Sequence, residues 1–246
     1  MAQYYSIISY HIYAPYAIGL TQNLRKNPSI SALYKPRSLM VYCAHRKIKG
    51  ETVLKYCKEL LAGILIGIGG ITYLRTGDPL VSPFLFSVGL IAVVLTGSPL
   101  YTGRIGDFPL EKTGLARHIA DYALMLLFNL LGAVLTGLAA SELFGFAGMS
   151  MEAKLAQSPL KALALGFGCG MMMYLAVSGY KKTGKLILLS LPVATFIFCG
   201  FDHCIADAFY FAAAHTLPAW YYFPMVILGN TLGALFFKIV SSAQTN

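Results

Sequence analysis

Six apolar runs, separated by short polar or basic stretches, constrain this chain more than any other feature. They lie at about 57–74, 81–103, 119–141, 159–179, 185–213 and 219–240. Each is near the ~20 residues that a helix needs to cross ~30 Å of hydrocarbon. Of the 246 residues, 57% are hydrophobic and 12% charged, whereas a soluble domain carries about a quarter charged residues. One soluble core would not absorb that much apolar surface, so the chain reads as an all-α membrane protein with six transmembrane helices. Runs two and five are interrupted, at Gly97-Ser98-Pro99 and at Gly200, and the fifth is longer than the rest.

The basic residues orient these runs. Arg25, Lys26, Lys35, Arg37, Arg46, Lys47, Lys49, Lys55 and Lys58 precede or open the first run. Arg104, Lys112 and Arg117 lie between the second and third, and Lys181, Lys182 and Lys185 between the fourth and fifth. The opposite loops hold Arg75, Lys154 and Lys161. By the positive-inside rule both termini are cytoplasmic, in a multi-pass protein of the inner or plasma membrane. The same topology accounts for the net charge of +9, so no nucleic-acid partner is expected; the lipid bilayer is. Residues 1–54 read as an N-terminal cytoplasmic or interfacial extension, and residues 55–242 as the transmembrane domain. The first twenty residues lack a basic stretch ahead of their apolar part and do not read as a cleaved signal.

The chain resembles itself at an offset of about one hundred residues. Asn129-Leu-Leu-Gly-Ala in run three meets Asn230-Thr-Leu-Gly-Ala in run six. Gly67-Ile-Gly69 in run one meets Gly168-Cys-Gly170 in run four, and the interruption at Gly97 meets that at Gly200. Three spans per half make the second half inverted relative to the first. Inverted repeats with paired broken helices, here helices 2 and 5, are the mark of transporters and channels with a path at the repeat interface.

The most unusual run is "FIFCGFDHCIADAFYF", residues 196–211, which places Asp202, His203 and Asp207 at membrane depth. Intramembrane ionisable groups are costly and point to function. Cys199, His203 and Asp207 share one face if a single helix runs through them, while Cys204 points about 100° away. That set supports a second reading, metal-ion transport or binding. No further cluster completes a coordination shell, however, and no cofactor is expected. The chain contains no HExxH and no nucleophile elbow, so an enzyme is not expected either. His118 and Asp121 read as an interfacial pair. The paired Asn-Pro-Ala signature of water channels is absent from both interruptions.

Two stretches carry a family resemblance: "FSVGLIAVVLTGSPLYTG" (86–103) and "LPVATFIFCGFDHCIADAF" (191–209), with "GNTLGALFF" in the last run in support. They resemble the helix breaks of the formate/nitrite transporter family, and the resemblance covers about 55–242. It implies an aquaporin-like fold, a homopentamer with one pore per protomer, and a channel or proton-coupled transporter for small monovalent anions such as formate, nitrite, hydrosulfide or lactate. It also implies that His203 is the polar residue at the pore centre, faced by Thr102. Phe86, Leu90, Tyr101 and Phe196 would then form apolar constrictions, and Lys154 would be the vestibule lysine. The chain departs from the family with Asp207 and Gly170 where Asn is usual, and with Tyr101 where Phe is common.

These residue types suit such a task. A bare anion entering an apolar neck loses its hydration at a cost of many kcal/mol. A lysine at the mouth concentrates anions, and broken helices present backbone N–H groups to them. A histidine, with an ordinary pKa of ~6.5, can give a proton that turns a weak acid's anion into a neutral solute. Asp202 reads either as an N-cap of the helix that restarts after Gly200 or as a group tuning His203. Asp207, four residues on, either tunes His203 or pairs elsewhere.

Overall fold

The computed structural model describes residues 36–109 and 113–242, with side chains from residue 50. The chain divides into two compact units, 1–53 and 54–246. The described part of the first unit is helical, and its residues 1–35, with the readings made for them, lie outside the described residues.

Among the described residues the structure is all helical. The helices are α1 (Pro36–Thr76), α2 (Val81–Leu95), α3 (Tyr101–Arg104), α4 (Leu115–Phe144), α5 (Glu152–Leu155), α6 (Pro159–Thr183), α7 (Ile187–Phe198), α8 (Cys204–Ala213) and α9 (Tyr222–Ser242). Four stretches are long and apolar enough to cross a membrane: Gly50–Thr76, Leu115–Phe144, Pro159–Thr183 and Tyr222–Ser242. At 15, 12 and 10 residues, α2, α7 and α8 are each well short of ~30 Å at 1.5 Å per residue.

Glycine stops α2 and α7 in the same way. Gly97 (φ 64°) and Gly200 (φ 66°) follow Thr96 and Cys199 in the left-handed region. Ser98 N–H donates to Val93 O at 3.0 Å and Gly97 N–H to Val94 O at 3.1 Å. Phe201 N–H donates to Phe196 O at 2.9 Å and Gly200 N–H to Ile197 O at 3.0 Å. Both pairs are Schellman closures, which satisfy carbonyls that a helix end would otherwise leave unpaired inside an apolar body.

Two buried asparagines then hold the polypeptide where it leaves these closures. Asn129 Oδ1 accepts from Tyr101 N–H at 2.7 Å, and its Nδ2 donates to Glu59 O at 2.7 Å and Pro99 O at 3.0 Å. Asn230 Oδ1 accepts from Cys204 N–H at 3.0 Å, and its Nδ2 donates to Gly166 O and Asp202 O, each at 2.8 Å. The amides thus pair the first N–H of α3 and of α8 and one carbonyl of each non-helical stretch. At these positions a solvated amide is not available.

The helices carrying these bonds touch through glycine. A Cβ on Gly63 of α1 would sit 1.9 Å from Asn129 O, and one on Gly170 of α6 would sit 2.2 Å from Asn230 O. This contact pattern corrects one expected registration. Gly63 and Gly170 play the same part 107 positions apart, as do the acceptors Glu59 and Gly166. Gly67 and Gly168, 101 apart, do not correspond: Gly67 abuts Thr136 and Gly168 abuts Phe201. Glycine pairs recur so often in close-packed membrane helices that sequence alone mis-set the register.

Candidate functional site

His203 is the N-cap of α8, with extended backbone angles (φ −109°, ψ 108°). Its Nδ1 accepts from Ala206 N–H at 3.1 Å. An amide can only donate, so Nδ1 is unprotonated, and the neutral ring carries its proton on Nε2. Nε2 lies 2.7 Å from Thr102 Oγ1, and that hydroxyl is therefore the acceptor. Thr102 is the second residue of α3 and is fully buried, and His203 is 2% exposed. The contact joins the residues just past the two Schellman closures. Phe196 stacks on the imidazole with centroids 5.8 Å apart, and Phe86 meets Phe196 edge-on at 6.0 Å.

Of the two readings of Asp202, the cap of α8 is corrected: an imidazole nitrogen does that work, and the carboxylate turns to Lys154. Lys154 Nζ lies 2.5 Å from Asp202 Oδ1 and 2.7 Å from Asp207 Oδ1. The Tyr222 hydroxyl donates to Asp207 Oδ2 at 3.1 Å and lies 3.3 Å from Lys154 Nζ. Asp202 is 0% exposed, and its Oδ2 has no hydrogen-bond partner. Lys154 sits on the loop helix α5, outside the candidate spans. Burial alone would lower its pKa, but Asp207 and Asp202 outweigh burial and raise it above the usual lysine value.

Two cavities approach the His203–Thr102 contact. One, of about 310 Å³, is lined by Phe86, Phe196 and His203 together with Lys154, Asp202 and Asp207. The other, of about 270 Å³, is lined by Leu90, Val93, Leu100 and Gly103, with Arg104 and Lys181 at its polar edge. The first cavity is lined by His203 itself, and the second by Leu100 and Gly103, close to Thr102 in the chain. A third, apolar cavity of about 400 Å³ lies among Leu130, Val134, Phe211 and Leu217, apart from His203.

The structure thus brings His203, Thr102, Phe86, Phe196, Lys154, Asp202 and Asp207 into one neighbourhood, with Leu90 across the contact. Tyr101 lines neither of the two cavities. Its hydroxyl is 2.8 Å from Thr231 Oγ1, and its ring packs with Ile105, Met125 and Tyr174. Leu100, Asn129, Asn230 and Tyr222 were not singled out from sequence as site residues; the matched asparagines were the available signal. Asp121 takes Lys55 as its ion-pair partner at 2.6 Å rather than His118. The donors of the metal reading are dispersed: Cys199 is exposed, both nitrogens of His203 are engaged, and Asp207 is held by Lys154 and Tyr222.

Four described helices long and apolar enough to cross a membrane, with shorter apolar helices between them and buried polar groups where the short ones meet, are the make-up of a multi-pass membrane protein. Residues 38–243 match the family model described as Formate/nitrite transporter, and the chain belongs to that family. The fold is similar to that of a solved "FNT family ion channel", with TM-score 0.70 and 21% identity, covering 82% of this chain and 93% of that one. It is also similar to a "Pentameric formate channel with formate bound", with TM-score 0.67 and 24% identity, covering 80% and 98%. No curated protein sequence matches the chain.

Proposed function

We propose that this protein is a channel or proton-coupled transporter for small monovalent anions of the formate, nitrite or hydrosulfide class, with His203 and Thr102 at the waist of its path. The observation that carries the reading is the 2.7 Å Nε2–Oγ1 contact, with one cavity lined by His203 and a second lined by the neighbours of Thr102, Leu100 and Gly103. Phe86 and Phe196 narrow the path on one side of this contact, and Leu90 and Leu100 on the other. Tyr101 positions the start of α3 from outside it. Arg104 and Lys181 border the second cavity, which the positive-inside rule puts on the cytoplasmic side with both termini. The cavity with Lys154 then faces outward.

The chemistry follows from the tautomer. Thr102 accepts from Nε2–H and keeps its own hydroxyl proton for an entering anion. The anion also meets Nε2–H as a second hydrogen-bond donor; the ring stays neutral, and the proton that turns a weak acid's anion into its acid comes from the water of the flanking cavities. Charge is thereby removed ahead of the waist, where solvation by the protein is weakest. The scaffold consists of two inverted three-helix repeats: α1, α2–α3 and α4, then α6, α7–α8 and α9. Helices 2 and 5 of the six spans are broken, in the aquaporin-like manner, at Gly97 and Gly200. Residues 1–54 form a cytoplasmic or interfacial extension to the domain at 55–242. Five protomers assemble, as in the similar formate channel.

The test is uptake of labelled formate, nitrite and hydrosulfide by vesicles containing the purified protein. Uptake of at least one of them, well above that of protein-free vesicles, is expected. Equal uptake in both preparations for every solute would refute the function.

A further inference from the structure

The structure assigns to Asp207 the selection of undissociated acid over anion at the outer mouth, an inference that rests on the transport reading above. The lysine at that mouth does not present a free positive charge. Its ammonium lies between the Asp202 and Asp207 carboxylates at 2.5 and 2.7 Å, so one cation faces two anions. The side chain of Asp202 is 0% exposed, that of Asp207 3% and that of Lys154 24%. At such burial the surplus negative charge is poorly screened by salt.

Among the described residues no other group at this mouth restores the balance. His203 is held neutral by its two hydrogen bonds. Tyr73 and Tyr210 line the same cavity, and Tyr222 is bonded to Asp207. The thiols of Cys169 and Cys204 are buried beside Asp207. Phenols and thiols are ordinarily uncharged at pH 7. Glu152, on the lysine's own helix, is exposed and adds negative charge if anything.

One atom also lacks a partner. Asp202 lines this cavity, and its Oδ2 is buried and accepts no hydrogen bond. Leaving a carboxylate oxygen so placed is costly unless a ligand donates to it. A carboxylic or nitrous acid O–H, or the S–H of hydrogen sulfide, is such a donor, whereas the corresponding anions are not. The outer mouth thus repels the ion and offers an acceptor to its acid. The inner cavity is bordered instead by Arg104 and by Lys181, the latter paired with Asp107 at 3.1 Å. That end favours release of the anion after the proton is lost to water.

The experiment uses the full-length protein in vesicles, with labelled formate outside at fixed total concentration. Wild-type influx is expected to fall about tenfold per pH unit above the acid's pKa, following the undissociated fraction. External nitrate, the anion of a strong acid, is expected to leave it unaffected. Asp207→Asn removes the surplus negative charge and leaves the cluster neutral: its influx should decline less steeply with pH, and nitrate should inhibit it at concentrations at least about tenfold lower than wild type. Asp207→Glu should keep the wild-type slope. Measurable formate influx with the same slope and nitrate response in wild type and Asp207→Asn would overturn this inference and leave the transport function standing. Strong nitrate inhibition of wild type would overturn it without reference to any variant. No influx of any acid through wild type would instead overturn the function itself, and this inference with it.

Discussion

Asn230→Ala offers the clearest test of how the two closures are held. The amide is fully buried and makes three bonds, to Cys204 N–H at 3.0 Å and to Gly166 O and Asp202 O at 2.8 Å. Alanine leaves the first N–H of α8 and the carbonyl of Asp202 without these partners. Each buried polar group left unpaired costs about 1–3 kcal/mol. Gly166 O belongs to the interior of α6, and its loss adds less. The total is then about 2–6 kcal/mol, a large share of the stability of a typical domain. With a Tm change of about 2–4 °C per kcal/mol for chains of this length, the midpoint should fall by on the order of 10 °C. The assay is thermal unfolding of purified protein in detergent, followed by tryptophan fluorescence and size exclusion. Asn230→Asp keeps an acceptor for Cys204 N–H but has no donors, and should fall between the two. Asn129→Ala breaks the matching three bonds and should cost a similar amount. A midpoint within 2 °C of wild type for Asn230→Ala would refute the assignment of these bonds.

Three further outcomes are expected. Gly170→Leu places side-chain atoms where a Cβ alone would be 2.2 Å from the Asn230 carbonyl; α6 and α9 must separate, and folded protein should be lost on size exclusion, whereas Gly184→Ala, with open space around it, should remain folded despite a strained turn. Lys154→Met strands two buried carboxylates, which costs about 3–5 kcal/mol; Asp207→Asn in the same chain should recover part of the lost midpoint. The folded-state pKa of Lys154 is raised, so its stabilisation is complete below the ordinary lysine value of ~10.4 and is lost only as pH rises beyond it. The charge of Lys154 should therefore contribute no change in wild-type midpoint between pH 6 and 9, and lysine titration in that window, followed by NMR of labelled Lys Nζ, would contradict this.

Much of the scaffold is legible in the residues, and what is not has physical reasons. Four of the apolar runs are single long helices because nothing within them competes with the helical ladder. The interruptions at Gly97 and Gly200 are legible because a left-handed residue inside an apolar run has few occupants other than glycine. The matched asparagines signal a shared task, and the structure identifies it as pairing backbone groups. The correspondence of Gly63 with Gly170 was hidden because helix contacts, not glycine spacing, define it. Residue preference leaves Asp202 either as the cap of α8 or as a group tuning His203. The imidazole of His203 wins because Lys154 draws the carboxylate away, and that approach depends on the path of the chain over 145–158. The family resemblance puts Tyr101 among the constrictions; its hydroxyl lies 2.8 Å from Thr231 Oγ1, since α3 begins there and turns successive side chains about 100° apart.

The central claim, that solute passes the His203–Thr102 contact, is tested most directly by formate flux through His203→Phe in vesicles. The variant's size-exclusion profile and subunit number should first match wild type. Phenylalanine removes the Nε2–H donor and the hydrogen bond to Thr102, leaving the polar group of a passing solute unpaired at the waist, and flux should drop at least about tenfold. Flux within a factor of about two of wild type, with an unchanged pH profile, would contradict the account.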